Sequence, residues 1–310
     1  MLRLLLLLPL IVLNTVVHTS VLFGFALLKL LLPIAAVRRA LTRLLMRIAE
    51  SWIGCNGLMI DWLTPTRIAL DGDAELRRDG WYLVIANHQS WVDILVLQKV
   101  FNRRIPLLKF FLKQPLIWVP LLGLAWWALD FPFMRRASPA QLQRHPEWRG
   151  RDRDATRRAC QRFKQTPVSV MNFIEGTRFT PAKQARAGGA FQHLLRPKAG
   201  GIAFVLDAMG EMFDTLLDVT LVYPAGIPTL LDLLCGRLPE VRVQIRQRVI
   251  PAAVLGGDYA VDAAYRTRLQ EWLNNLWAEK DASIAAQQQQ RSPDEAQRLS
   301  TAELVNPGSM

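Results

Sequence analysis

The sequence predicts an α/β protein in which N-terminal membrane helices precede one α/β domain, whose mainly parallel or mixed sheet is flanked by helices. An almost unbroken apolar run opens the chain, and from Thr66 onward short apolar strand patterns alternate with helix patterns. At 310 residues, the chain has room for a membrane anchor and one domain of roughly 200–250 residues. We therefore divide it into membrane-anchoring helices over residues 1–60, the α/β domain over 61–284 and a disordered polar tail over 285–310.

The apolar run covers residues 4–32, which is longer than the roughly 20 residues that a helix needs to cross a bilayer. Pro33 ends the run, and four arginines between residues 38 and 47 then interleave with leucines in the pattern of a basic amphipathic helix. Positive charge beside a membrane segment indicates its cytoplasmic side. Two arrangements remain open: the first helix spans the membrane, or both helices form a hairpin that dips into one leaflet.

The elements of the domain follow from the same patterns. Apolar runs predict strands over residues 81–86, 105–109, 167–174 and 216–223, and helix patterns cover 90–100, 199–209 and 263–280. Val241, Val243 and Ile245 alternate with polar residues, which predicts a half-buried edge strand. The apolar segment 116–131 is short for a membrane span, so we expect it to be buried or lipid-facing.

The net charge of +12 implies an anionic partner, either nucleic acid or anionic membrane lipids. Because the basic helix adjoins the apolar run, we expect lipid headgroups and not nucleic acid. The three cysteines, Cys55, Cys160 and Cys235, are far apart and lack a C-x-x-C spacing. This argues against a disulfide framework or a zinc site and for reduced thiols in a cytosolic compartment.

The first candidate site extends from Asn87 to Asp93 and reads Asn-His-Gln-Ser-Trp-Val-Asp, directly after a predicted strand. Ligands of open α/β sheets collect at the carboxyl ends of strands. A turn of this length can bring the Asp93 carboxylate to the His88 imidazole, where it would fix the tautomer and stabilise the imidazolium. The chain has no G-x-S-x-G elbow, so such a pair would act as a general base on a substrate hydroxyl. Taken alone, a helix whose first turn is capped by Ser90 or Asp93 is the plainer interpretation.

The second candidate site reads Phe-Ile-Glu-Gly-Thr-Arg from Phe173 to Arg178 and also follows a predicted strand. Gly176 lets the backbone approach an anion closely, Thr177 offers a hydroxyl, and the Arg178 guanidinium matches phosphate oxygens. By itself the segment could be an ordinary turn with a surface arginine. Its position at a strand end favours half of the same site.

Together the two motifs resemble those of the 1-acylglycerol-3-phosphate acyltransferases, the bacterial lysophosphatidate acyltransferase group, in which N-H-x-x-x-x-D precedes F-x-E-G-T-R by roughly eighty residues. Both motifs are intact here, and the resemblance covers about residues 80–225. The layout, including ALDFPFMRR, is similar to a bacterial branch of inner-membrane enzymes. The resemblance implies an α/β acyltransferase domain on the cytoplasmic side of that membrane. The enzyme would move a fatty-acyl group from acyl-CoA or acyl carrier protein to the sn-2 hydroxyl of 1-acyl-sn-glycerol 3-phosphate, without a metal or other cofactor.

The resemblance also implies individual roles. His88 is the general base, and Asp93 is its partner. Glu175 orients the loop that holds the acceptor phosphate, and Arg135 is a rival of Arg136 for a further phosphate contact. Lys113 matches a lysine ahead of a P-x-x-G segment. The residues that the resemblance assigns to substrate binding are Lys113, Arg136, Glu175, Gly176, Thr177, Arg178 and Pro224, the last from the fourth conserved block.

Two segments depart from the family pattern. Leu129 and Asp130 stand where a glycine is usual, and Val222-Tyr223-Pro224 replaces the usual Val-Pro-Val. Both departures bear on the preference for acceptor or chain length. The alternative hypotheses are a different acceptor, either another lysophospholipid or glycerol 3-phosphate, and a non-catalytic lipid-binding membrane protein. The intact His–Asp pair argues against the last, since a binding module has no evident use for it.

Overall fold

The N-terminal residues fold into an antiparallel helical hairpin. The structure, a computed structural model, describes residues 2–72, 75–134, 143–145, 160–161, 163, 166–259 and 261–289. The hairpin consists of α1 (Leu2–Leu31) and α2 (Ala35–Leu63). Asn14 of α1 donates hydrogen bonds to the backbone oxygen of Trp52, at 3.1 Å, and to Oδ1 of Asn56, at 2.9 Å. These polar contacts fix the register of two otherwise apolar faces.

Helix α2 confirms the predicted basic amphipathic pattern and continues beyond it. Its arginines, such as Arg38 and Arg43, are exposed, whereas Leu41 and Leu45 are buried. The second half of the helix enters the core of the α/β domain through residues such as Ile60. The hairpin therefore packs against the domain. It is also a candidate membrane element, because α1 is long and apolar enough to cross a membrane.

The main sheet has six strands, mixed in direction as predicted. The strands within the described residues are β1 (Arg67–Asp71), β2 (Tyr82–Ala86), β3 (Leu108–Phe110), β4 (Leu112–Lys113), β5 (Phe133–Met134), β6 (Ser169–Asn172), β7 (Thr215–Val222) and β8 (Glu240–Arg248). Their order in the main sheet is β1-β8-β7-β2-β6-β3, and β4 pairs with β5 separately. Every neighbouring pair is parallel except β7 with β8. As a result, β2, β6 and β7 end at the same edge of the sheet.

Helices cover both faces of this sheet. The other α-helices that the structure describes are α3 (Val92–Phe101), α4 (Leu122–Ala128), α5 (Pro181–Arg186), α6 (Ala199–Met209), α7 (Leu230–Leu234) and α8 (Ala263–Gln289). Side chains alternate along the buried strands, so Val84 and Leu217 join α2 and α3 in one core, whereas Leu83 and Leu216 join α6 and α8 in another.

The predicted edge position of the strand that contains Val241 is wrong. The period-two burial is present, but β8 lies between β7 and the outermost strand β1, which the sequence patterns did not predict. The polar face of β8 is half-buried because α8 covers it. Ser283 of α8, for example, donates a hydrogen bond to Gln244 at 2.9 Å. Local alternation identifies a strand with unlike faces but carries no information about its neighbours.

Two further segments differ from expectation. The polar tail was predicted to be disordered from residue 285, but α8 continues to Gln289 because Ile284 is fully buried and anchors this turn. The strand predicted over residues 105–109 is the shorter β3, shifted toward Phe110.

Segment 116–131 contains a 3₁₀ turn and α4. It buries Ala125 and Ala128 but exposes Trp118 and Trp127, so one side faces the core and the other faces outward.

Candidate active site

The first motif forms the turn between β2 and α3. His88 Nδ1 lies 2.8 Å from Asp93 Oδ2, so the predicted pairing of imidazole and carboxylate is present. Asp93 is fully buried, and the same oxygen accepts hydrogen bonds from the backbone N–H groups of Gln89, at 2.6 Å, and Ser90, at 2.8 Å. The bonds from these two N–H groups are those of the capped turn that is the plainer interpretation of the sequence, so capping explains part of the geometry. It does not account for the imidazole, whose Nδ1 is held by the same carboxylate.

The other oxygen of Asp93 has a partner that the sequence patterns did not identify. Tyr223, directly after β7, donates its hydroxyl hydrogen to Asp93 Oδ1 at 2.5 Å. Burial raises the pKa of this phenol well above 10, and the nearby Asp93 charge acts in the same direction, so the hydroxyl keeps its proton. The departure from Val-Pro-Val at Val222-Tyr223-Pro224 could have indicated this contact, but from the sequence alone we relate it only to acceptor or chain-length preference.

The end of β7 is also joined to the first motif through Asn87. Its side chain donates to the backbone oxygen of Leu221 and accepts from the Leu221 N–H, both at 2.8 Å. This pair of bonds extends the ladder between β2 and β7 by one step beyond Ala86. The position of Tyr223 relative to His88 is consequently fixed by two adjacent, buried strands.

The second motif follows β6, and its carboxyl group contacts the first motif. Glu175 is fully buried and accepts hydrogen bonds from the backbone N–H groups of His88, at 3.2 Å, and Leu195, at 3.3 Å. Burial raises the pKa of Glu175 from 4.5 to about 8, although these backbone hydrogen bonds act in the opposite direction. Glu175 thus lies beneath the site and joins three segments, a geometry that suits the orienting role which the resemblance implies.

Gly176, Thr177 and Arg178 form a turn that is half-buried at its first two residues and exposed at Arg178. Gly176 has φ +70°, a conformation that side chains rarely adopt, and its N–H donates to the backbone oxygen of Phe173 at 2.9 Å. Lys183 of α5 donates to the Thr177 hydroxyl at 2.7 Å and to the Arg178 backbone oxygen at 2.9 Å. Lys183 was not predicted, and it supplies both a brace for the turn and an additional positive charge.

An open cleft brings the two motifs together. His88, Gly176, Thr177 and Arg178 line it, and so does Lys113 from β4, which is exposed. The apolar part of its wall consists of Trp91, Phe110, Phe111, Leu112, Leu116, Met171 and Phe173. No carboxylate lines the cleft within the part of the chain that the structure describes. A cleft with two cations, an imidazole and an apolar wall is suited to a ligand that has both an anionic group and a hydrocarbon chain.

The His88 ring is held by two contacts, one with Phe173 and one with Asp93. The ring stacks on Phe173 with centroids 4.0 Å apart and an interplanar angle of 14°. With Nδ1 held by Asp93, Nε2 has no hydrogen-bond partner among the described residues. The guanidinium of Arg178 lies over the Trp91 ring, 4.9 Å from its centroid. His88 can therefore offer Nε2 to a ligand in the cleft, next to a cation that is partly pre-positioned by stacking.

Of the predicted binding residues, Arg136 and Pro224 are not among the described residues that line this cleft. Arg136 lies outside the described residues, as does its rival Arg135, so their roles stay predictions. Pro224 follows Tyr223 at the end of β7 and is not among the described residues that line the cleft. Lys198, which was not predicted, lies close to Gly176: its Nζ is 3.6 Å from the point that a glycine Cβ would occupy. No group of three or more His, Cys, Asp or Glu side chains that could hold a metal occurs within the described ranges.

The mixed sheet brings the two motif turns together at one sheet edge, so they form one candidate site on an α/β fold. The sequence profile of the Acyltransferase family matches residues 67–227, more than half of the chain, and the chain belongs to that family.

Individual relatives share only about a quarter of the aligned residues with this chain. The chain is 26% identical over 254 residues to lysocardiolipin acyltransferase 1 of Danio rerio, covering 77% of this chain and 60% of the relative. It is 27% identical over 256 residues to 1-acyl-sn-glycerol-3-phosphate acyltransferase gamma of Homo sapiens, covering 77% and 63%. The chain thus spans less than two thirds of the length of these relatives. Its fold is similar to that of the 1-acyl-sn-glycerophosphate acyltransferase PlsC from Thermotoga maritima, with a TM-score of 0.55, 16% identity and coverage of 94% and 98% of the two chains.

Proposed function

We propose that this enzyme transfers a fatty-acyl group from an acyl thioester to the sn-2 hydroxyl of 1-acyl-sn-glycerol 3-phosphate, making phosphatidic acid for phospholipid synthesis. The observation that carries the proposal is the shared cleft of His88, Arg178 and Lys113. A phosphate bound by the two cations, with its hydrocarbon chain on the apolar wall, would leave a hydroxyl within reach of the imidazole.

The chemistry follows from the geometry of the imidazole. Nε2 of His88 accepts the hydroxyl proton as the substrate oxygen attacks the thioester carbonyl. Asp93, 2.8 Å from Nδ1, stabilises the imidazolium that forms. The tetrahedral intermediate then collapses, the carbon–sulfur bond breaks, and the imidazolium returns the proton to the departing thiolate. The thioester is already activated, so the proposal involves no metal or organic cofactor. The donor is the acyl thioester of CoA or of acyl carrier protein.

The contacts of the α1–α2 hairpin with the α/β domain support attachment of the enzyme to one leaflet of the membrane. Both ends of α1 contact the α/β domain: Arg3 lies beside Gly236, and Lys29 pairs with Asp130 at 3.5 Å. A helix held along the domain at both ends favours a hairpin that dips into one leaflet over a helix that leaves the domain to span the bilayer. The exposed indole of Trp118 also suits the membrane interface.

The same observations suggest where the enzyme acts. We infer that the arginines of α2 bind anionic membrane lipids, with no role for nucleic acid. The catalytic domain would then lie on the cytoplasmic side of a bacterial inner membrane.

The acceptor is tested with a panel. Purified protein in detergent is given a labelled acyl group, on CoA or on acyl carrier protein, with lysophosphatidate, glycerol 3-phosphate, lysophosphatidylglycerol or lysocardiolipin. We expect acylation of lysophosphatidate at least about tenfold faster, in kcat/KM, than of the others. Glycerol 3-phosphate lacks the hydrocarbon chain for the apolar wall, and the other two carry their phosphates as diesters, whereas lysophosphatidate has both a chain and a terminal phosphate for the two cations. A preference for lysocardiolipin, which the name of one relative raises, would replace the proposed acceptor. Binding of lysophosphatidate without turnover of either donor would support the lipid-binding hypothesis.

A further inference from the structure

A buried tyrosine belongs to the proposed catalytic pair. The two oxygens of the Asp93 carboxylate have different partners: Oδ2 accepts the bonds of His88 and two loop N–H groups, whereas Oδ1 accepts the hydroxyl of Tyr223. Since Asp93 is fully buried, its charge is shared among these donors and not with water. The imidazole and the phenol are therefore linked through one carboxylate.

We propose that Tyr223 is a positioning residue for acyl transfer, whose hydroxyl holds the second oxygen of Asp93 and thereby sets both the orientation and the basicity of His88. The inference rests on the proposed role of His88 as the general base.

The orientation argument concerns rotation of the carboxylate. The three bonds to Oδ2 all come from residues 88–90 of the motif turn. The Tyr223 hydroxyl lies at the end of a different strand and holds the opposite oxygen at 2.5 Å. Tyr223 is only 3% exposed, and the Asn87–Leu221 bonds anchor the strand end two residues before it. The plane of Asp93, and with it the direction of Nε2 of His88, is thus defined from two strands.

The basicity argument concerns competition for one negative charge. A phenol that donates to Asp93 draws carboxylate charge toward Oδ1 and leaves less to stabilise the imidazolium. Removing the hydroxyl should make His88 hold its proton to higher pH, so the base would be less available at neutral pH. A tyrosine that only filled space would have no such effect.

The test compares Tyr223→Phe with a matched control. Tyr265 is also fully buried and donates its hydroxyl to the backbone oxygen of Val254 at 3.0 Å, far along the chain from the motif turns. For Tyr223→Phe we expect kcat to fall about three- to tenfold, the loss of one buried hydrogen bond, with the acceptor KM within about twofold of wild type. The acidic limb of the kcat/KM profile should move up by roughly 0.5 pH unit. Tyr265→Phe should leave all three unchanged.

A double-mutant cycle shows whether the effect passes through the carboxylate. In an Asp93→Asn background, Tyr223→Phe should cost little further activity, because the group that it acts on is already changed. An equal loss in both backgrounds would overturn the inference, and so would an unchanged pH profile in Tyr223→Phe.

NMR separates this inference from the proposed function. In protein with labelled histidines, the pH at which the His88 ring resonances change should be higher in Tyr223→Phe than in wild type. If that shift occurs and lysophosphatidate is not acylated, the proposed acceptor is wrong and the inference stands. If acylation occurs without the shift, the inference is wrong and the function stands.

Discussion

The backbone N–H of His88 donates a hydrogen bond to the carboxyl group of Glu175, 3.2 Å away, which joins the two motif turns although 87 positions separate them in sequence. A second bond, from the Phe179 N–H to the His88 backbone oxygen at 2.7 Å, closes the connection from the other side. The turn with the imidazole and the turn with Arg178 therefore form one unit. Displacement of either turn should disturb both catalysis and anion binding.

Loss of the imidazole tests the catalytic assignment. His88→Ala should abolish acyl transfer, because no other described group in the cleft can accept the hydroxyl proton. Membrane attachment should be retained, since the hairpin does not contain this residue. Turnover of labelled acyl-CoA and sedimentation with vesicles measure the two properties. His193→Ala, outside the cleft lining, is the control and should behave as wild type. Full activity of His88→Ala would eliminate the mechanism.

Loss of the guanidinium tests the phosphate contact. Arg178→Ala should raise the acceptor KM about 10–100-fold, the loss of a charged hydrogen bond, with kcat within about twofold. Binding shared by the ground and transition states behaves in this way. Arg178→Lys should give an intermediate value, because a lysine keeps the charge but not the fork. Steady-state kinetics with varied lysophosphatidate measure both constants.

The control for that experiment is Arg186→Ala, at the end of α5 and outside the cleft lining. Its kinetic constants should match those of wild type. A pure kcat defect in Arg178→Ala, with KM unchanged, would contradict a role in acceptor binding.

The raised pKa of Glu175, about 8, predicts a particular pH dependence of stability. Between roughly pH 4.5 and 8 the native carboxyl holds a proton that the unfolded chain has released, so the native state binds more protons. Below this window the protonated Glu175 makes its full stabilising contribution to the free energy of unfolding. As pH rises through the window, that contribution is lost, at up to about 1.4 kcal/mol per pH unit. Glu175→Gln is neutral throughout, so its melting temperature should decline less than that of wild type from pH 5 to 8.

Asp232→Asn is the matched control for this pH series. Hydrogen bonds from Thr229 and Arg237 lower the pKa of Asp232 to about 2, so its titration lies well below the window. Its melting temperature should therefore run parallel to that of wild type from pH 5 to 8. Equal slopes for wild type and Glu175→Gln would refute the assignment of the proton to Glu175.

A buried ion pair should stabilise the attachment of α8 to the sheet. Lys280 is 1% exposed; it pairs with Asp218 at 2.5 Å and donates to the Val219 oxygen at 2.7 Å. Lys280→Met should lower the free energy of unfolding by about 3–5 kcal/mol, because it leaves the Asp218 charge buried with less compensation. Thermal unfolding in detergent measures the loss.

Glu279 provides the exposed counterpart of that pair. Its carboxylate accepts a hydrogen bond from Arg248 at 2.6 Å on the surface, so Glu279→Gln should cost less than about 1 kcal/mol. Similar losses in the two variants would show that burial of the Lys280–Asp218 pair does not matter for stability.

Much of the fold and half of the site were predictable from local sequence. Apolar runs predicted β2, β6 and β7, because a strand buried on both faces needs apolar side chains at nearly every position. The motifs after β2 and β6 could be assigned to one site because parallel strands end at a common edge. The helix over residues 199–209 was predicted with the bounds that the structure has.

Other features depended on contacts between distant parts of the chain. The pairing of β8 with β1, the hydrogen bond of Lys280 to Thr220 and the bond of Tyr223 to Asp93 each join residues at least sixty positions apart. Residue type and periodicity report which face of an element is apolar, and that property determined the strands, the helices and the two motifs here. They do not report which element covers that face, since many packings bury the same apolar area; only the tertiary structure selected the one that places a phenol on the carboxylate of Asp93.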